Sequence, residues 1–126
     1  MLSSNGDPVA DLLYSLNWLP MGFAQAYLIT GDEAFLERYQ RVCEFLVRAQ
    51  IHSENPAIHG AWTRGLDMDI MEVFGSNSGV GWGPWAIESG WTVAKIAAGL
   101  MMGPLFERLK PFYRQSYIAN ETHRNP

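Results

Sequence analysis

The feature that most constrains the fold is a run without charge from Leu12 to Gly31, which passes through Thr30-Gly31-Asp32 into a strongly periodic, charged segment. Between Glu33 and Gln50, Phe35, Tyr39, Val42 and Leu46 recur at helical spacing with Leu36 and Cys43 beside them, while Glu37/Arg41 and Glu44/Arg48 form opposite-charge i,i+4 pairs on the other face. Met21 to Ile29 is apolar on nearly every side, with Gln25 its only strongly polar member, and a helix of that kind belongs in an interior. Gly31 suits the left-handed position that ends a helix, and Asp32 suits the N-cap of the next. The pattern therefore predicts an αα-hairpin with an apolar inner arm and an amphipathic outer arm. Upstream, Asp7-Pro8 reads as an N-cap and N1 pair that starts a short helix through Leu12, Leu13 and Leu16, and Pro20 either breaks that helix or opens the next.

The same order returns about 70 residues later. Ser89 can cap a helix through Trp91, Val93, Ala94, Ile96, Ala97, Leu100 and Met101, with Lys95 its only charge and Ala97, Ala98 and Gly99 small enough for close contact. Gly103-Pro104 then leads into a second amphipathic arm with an apolar face of Leu105, Phe106, Leu109, Phe112 and Tyr113, in which Pro111 is expected to disturb the helix. Phe35-Leu36-Glu37-Arg38 and Leu105-Phe106-Glu107-Arg108 mark the start of the outer arm each time. The expected architecture is all-α: one helical domain over 1–126, with a first hairpin region at 7–51, a long aromatic loop at 52–88, a second hairpin at 89–119 and a polar tail at 120–126.

Charge and composition narrow the function. A net charge of −4, with only Lys95 and Lys110 as lysines and no basic cluster, argues against nucleic acid. The chargeless run is interrupted by Ser15, Asn17, Pro20, Gly22, Gln25 and Thr30, which favours burial in protein over a membrane span. No secretory signal is visible, so a complete chain would be cytoplasmic. Cys43 reads as a small buried hydrophobe, and no cofactor is expected. His52 and His59 flank a Pro-containing loop at a spacing poor for a metal, so no metal site is expected. The segment GSNSGVGWG lacks the Lys-Ser/Thr ending and preceding strand of a phosphate loop, and no nucleophile elbow is present.

What remains is Gly60 to Trp91, which holds four of the five tryptophans (Trp62, Trp82, Trp85, Trp91), four carboxylates (Asp67, Asp69, Glu72, Glu88) and seven of the twelve glycines. Sugars present apolar C–H faces and many hydroxyls, so indoles beside carboxylates, Asn and Arg suit a carbohydrate surface. Trp62, Trp82 and Trp85 are candidate stacking residues with Arg64 and Asn77 as polar partners; each indole is equally well read as a core wedge. Glycoside cleavage needs two carboxyl groups, and Asp67, Asp69 and Glu88 are the candidates. Asp67 and Asp69 would share a face in an extended segment, and Glu88 would sit at a helix N-terminus that favours its anion.

The words NWLPMGFAQAYLITGDEAFLERYQRVCEFLVRAQ (17–50) and GAWTRGLDMDIMEVFGSNSGVGWGPWAIESGWT (60–92) resemble the terminal part of six-hairpin glycosidase-like proteins, the superfamily that includes unsaturated glucuronyl hydrolases and related bacterial polysaccharide-degrading enzymes. The likeness spans roughly residues 12–110 and is most specific in GWGPWxxESGWT. It implies an (α/α)6 toroid that binds an oligosaccharide at one mouth, lined by the loops leading into the inner helices. It also implies that about two of six hairpins are present. The chain is then a fragment, a homo-oligomer whose copies complete one another, or a small self-closed solenoid. An inner helix apolar all round favours burial against a partner or the missing remainder of the ring. The rival reading is a non-catalytic helical-repeat module whose aromatic loop is an interface or structural plug.

Overall fold

The computed structural model describes residues 9–73, 87 and 91–115. These residues are mostly helical, with four α-helices and a single short sheet among them. Helix α1 (Leu19–Thr30) and helix α2 (Glu33–Arg48) form the expected hairpin; helix α3 (Trp91–Met102) and helix α4 (Phe106–Arg114) follow each other in the chain but each packs on α1, so the second expected hairpin is not formed as a packed pair.

The first turn follows its local chemistry. Gly31 ends α1 at φ 71°, a backbone conformation that glycine adopts without a Cβ penalty, and its amide donates to the Tyr27 carbonyl. Asp32 then caps α2 by accepting from the Ala34 amide at 2.9 Å. On the exposed face of α2, Arg41 pairs with Glu37 at 2.7 Å and Arg48 with Glu44 at 2.6 Å. Pro20 sits in the first turn of α1, where its missing N–H is no loss.

Helices α1 and α3 are both 12 residues long and pack on each other. Gly99 makes that approach possible, because a Cβ there would lie 2.6 Å from the Pro20 Cβ. A short 3-10 segment, Gly103–Leu105, joins α3 to α4. Helix α4 runs through Pro111 to Arg114, contrary to the expected disturbance. The ring removes one ladder bond without ending the helix. Of the face expected on α4, Phe106 is buried, whereas Phe112 is exposed.

The expected short helix at the start of the chain does not form within the described residues. Val9–Asp11 is strand β1, paired antiparallel with strand β2 (Gly65–Asp67) so that Ala10 faces Leu66. A turn and the 3-10 segment Leu16–Trp18 follow. Leu12 and Leu13 are both fully buried, and two consecutive inward side chains suit this turn better than one helical stripe. Asp7 and Pro8 lie outside the described residues, as does Ser89.

Two apolar clusters hold the elements together. One joins Leu12, Leu13, Leu46, Trp62, Leu66 and Ile96; the other joins Ala24, Tyr27, Leu28, Tyr39 and Phe106. Full burial of each large aliphatic side chain contributes about 1.5–3 kcal/mol. Within this interior Asn17 is fully buried, and neither its Oδ1 nor its Nδ2 has a hydrogen-bond partner. We have no physical account of that amide.

Candidate functional site

The described part of the aromatic stretch begins after a closed loop. Ile51 and Ala61 pair through their backbones at 2.9 Å, and Gln50 Nε2 donates to the Gly60 carbonyl at 2.7 Å. Inside this loop His52 and His59 meet edge to face at 5.9 Å, and His59 Nδ1 accepts from the Ser53 amide at 3.2 Å. No group of three metal-ligating side chains occurs among the described residues.

Trp62 is a core residue. It is 2% exposed, and its indole Nε1–H donates to the Leu46 carbonyl at 2.7 Å. That carbonyl belongs to the last turn of α2, where helices leave acceptors without internal partners. Trp62 thus fastens the loop to α2, and its ring is closed to a stacking ligand. Of the two readings of this tryptophan, the core wedge holds.

Asp67 and Asp69 do come together, but not as a facing pair on a strand. Asp67 ends β2 and forms a bridge with Glu72, leaving Met68–Met71 as the loop between them. Its Oδ1 accepts from the Asp69 amide at 2.8 Å and from the Ile70 amide at 3.2 Å. One oxygen of Asp67 is therefore spent on building the turn. Asp69 faces solvent. The same loop exposes Met68, Ile70 and Met71, the last at φ 55°, an uncommon backbone for a bulky residue.

Arg64 is half-buried, and its guanidinium lies 5.4 Å from the centre of the Tyr14 ring. Its carbonyl accepts from the Leu12 amide at 2.7 Å, which ties the stretch to the start of the chain. Asn77, Trp82, Trp85 and Glu88 lie outside the described residues.

Sequence reading missed two features. Trp18, directly before α1, is 52% exposed, and the Lys95 Nζ of α3 lies 3.0 Å from the centre of its ring. The partners are 77 positions apart, so no local pattern announces them. The second is an open cavity of about 700 Å³ with apolar walls from Leu16, Phe23, Val42, Phe45 and Met68 and the Glu37/Arg41 pair at its lip. It contains none of the candidate carboxylates or tryptophans, so its size does not make it the chemical site. Its lining suits an apolar group.

Tyr39 is buried, and Cys43 beside it is half-buried and not the fully buried small hydrophobe expected. Burial, followed by a hydrogen bond with Cys43, pushes the Tyr39 phenol above its ordinary range, and burial likewise pushes the Cys43 thiol up. Both are held in their neutral forms, which suits packing and not nucleophilic chemistry. No helix of the described residues is long and apolar enough to cross a membrane. Comparison with protein-family models, with curated proteins and with solved structures found no match to this chain.

Proposed function

We propose that this chain supplies two hairpins of an (α/α) toroid related to glycoside hydrolases and binds an oligosaccharide through the Gly60–Trp91 stretch. The observation that supports this reading is a recurring helix order: an apolar helix of 12 residues followed by a charged one, twice, on either side of the aromatic stretch. Toroids line their mouth with connections that lead into inner helices, and this stretch leads into α3. Hydrolysis of O-glycosyl bonds would belong to the assembled ring, completed by further hairpins or by other copies of the chain. The polar members of the site narrow to Asp69 and Arg64 with Asn77 and Glu88, and the stacking members to Trp82 and Trp85. Calorimetric titration with cellotetraose, xylotetraose, mannotetraose and oligogalacturonides tests the reading. Binding lost in Trp82→Ala and in Glu88→Gln, with the fold retained, is the expected result. No binding by the wild-type chain, with Trp82→Ala lowering only the melting temperature, overturns it.

A second reading, a non-catalytic helical interaction module, is favoured by the apolar cavity beside the exposed Met68, Ile70 and Met71. Methionine-rich apolar surfaces adapt readily to protein partners. A chain that binds none of these sugars but self-associates through that face, as read by light scattering, is the result that supports this second reading.

A further inference from the structure

From the open cavity along α2 we infer a binding site for a single-chain fatty acid of about eight to ten carbons, its tail on the apolar walls and its carboxylate on Arg38. The site uses none of the residues proposed above for a sugar, so it stands or falls apart from that reading.

The walls define the tail. The cavity holds about 700 Å³, within the range of about 300–1,000 Å³ that small-molecule sites occupy. Leu16, Val42 and Phe45 pack on the edge of the first apolar cluster and Phe23 on the edge of the second, so the cavity opens over the seam between them. All four side chains are half-buried, and each still has apolar surface to cover. Ala34, Arg38, Val42 and Phe45 follow one another at helical spacing and form one stripe of α2. From Arg38 to Phe45 that stripe rises about 10 Å. An extended hydrocarbon advances about 1.25 Å per carbon, so a straight tail of about eight carbons or slightly more matches it. Met68, unbranched and 43% exposed on the opposite wall, can adapt to the chain's end.

Arg38 defines the head group. Arg41 and Arg48 each take a glutamate four residues earlier on α2, Glu37 and Glu44. Arg38 instead has Ala34 and Val42 at its i−4 and i+4 positions, and it makes no hydrogen bond or ion pair among the described residues. Both of those neighbours line the cavity, as Arg38 does. At the lip Glu37 is compensated by Arg41, which leaves the Arg38 guanidinium as one uncompensated positive charge on a chain of net charge −4. The guanidinium fork fits a carboxylate through two parallel hydrogen bonds. One surplus charge matches a monoanion, whereas a phosphate dianion would leave negative charge beside Glu37. Arg38 is exposed, so the head group stays hydrated and the tail supplies most of the affinity.

The test is calorimetric titration of the full chain with hexanoate, octanoate and decanoate, and with decanol, decyltrimethylammonium and decyl phosphate. Thermal melts and light scattering accompany each variant. Each added pair of methylenes is expected to tighten binding by about fourfold, half the free-energy gain of full burial. Arg38→Gln is expected to weaken decanoate by about fivefold, the upper end for an exposed ion pair, and to bring it level with decanol. Arg48→Gln removes the same charge from the same helix away from the cavity and leaves decanoate binding unchanged. Decyl phosphate binds no tighter than decanoate, and decyltrimethylammonium binds more weakly than decanol. Because Arg38 is exposed and unpaired, the melting temperature of Arg38→Gln stays near that of wild type. No saturable binding of decanoate, equal binding by wild type and Arg38→Gln, or an equal loss in Arg48→Gln overturns the inference. Self-association that excludes decanoate also overturns it, and is the outcome that the interaction-module reading expects.

Discussion

Tyr39→Phe isolates the polar contact that fixes α2 to the end of α3. The Tyr39 hydroxyl lies where α2 meets the turn between α3 and α4. It donates to the Gly99 carbonyl at 2.7 Å, with the Leu100 carbonyl at 3.1 Å, and it accepts from the Gly103 amide at 2.8 Å. Phenylalanine keeps the ring, whose centre is 5.1 Å from that of Phe106, so packing is conserved and only the hydroxyl is lost. Two net hydrogen bonds at about 1 kcal/mol each give a loss of about 2 kcal/mol, rising towards about 4 kcal/mol where the backbone groups are left unpaired. With a urea dependence of roughly 1–3 kcal/mol per molar, the midpoint of unfolding followed by circular dichroism falls by about 1 M at unchanged slope. Glu37→Gln is the control, since its pair with Arg41 is exposed and is worth at most about 0.5 kcal/mol.

Alkaline pH gives an independent reading of the same group. Burial raises the phenol's folded-state pKa above its unfolded value near 10, so the stability is fully present below about pH 10. Above that pH the unfolded chain loses a proton that the folded chain keeps, and stability falls by at most about 1.4 kcal/mol per pH unit. Cys43, also pushed up by burial, adds a fall of the same sign, and its hydrogen bond with Tyr39 couples the two groups. Wild type and Tyr39→Phe are therefore compared in a Cys43→Ala background, where the difference in slope belongs to Tyr39. Equal slopes above pH 10, or a Tyr39→Phe cost no larger than that of Glu37→Gln, would refute the hydroxyl clip.

Four further substitutions test the packing. Gly99→Ala puts a Cβ 2.6 Å from Pro20 Cβ and 3.0 Å from the Met21 amide nitrogen, and costs about 1–3 kcal/mol despite the better helix propensity of alanine; a gain in melting temperature would contradict the close approach. Trp62→Phe leaves the Leu46 carbonyl without its donor and costs about 2 kcal/mol in chemical denaturation, whereas a surface tryptophan would lose almost nothing. Asn17→Leu replaces a buried amide that has no partner with an apolar group of similar size, and stabilises by about 1 kcal/mol; destabilisation would mean that the amide has a partner after all. Met71→Gly relieves a left-handed backbone at φ 55° and raises the melting temperature slightly or leaves it unchanged, while a marked fall would show that the Met71 side chain packs in the fold.

The first hairpin was legible because its signals are local. Gly31, Asp32 and the Glu37/Arg41 and Glu44/Arg48 pairs each act within a turn or two of chain, and each appears in the fold as its chemistry dictates. The start of the chain was not legible, because three-residue strands that pair Ala10 with Leu66 carry too little local pattern to outweigh an Asp-Pro helix signal. Phe112 failed for a related reason. Its spacing on α4 matches Phe106 and Leu109, but no element of the described residues covers that end of the stripe, and it is left 72% exposed.

The aromatic stretch shows where sequence proximity misleads. Four tryptophans within one segment suggest one shared surface, yet burial is decided by what lies across the fold. An indole joins the core where an orphan carbonyl such as that of Leu46 waits for its N–H, as Trp62 does. Asp67, two residues from Asp69, turns an oxygen inward to hold the Met68–Met71 loop, and its neighbour points to water. Trp18, 42 positions before the stretch begins, is brought against Lys95 of α3. The tryptophan richness of 60–91 therefore identifies a segment that needs large side chains, and what lies across the fold decides, as the Leu46 carbonyl does for Trp62, whether an indole is drawn into the core.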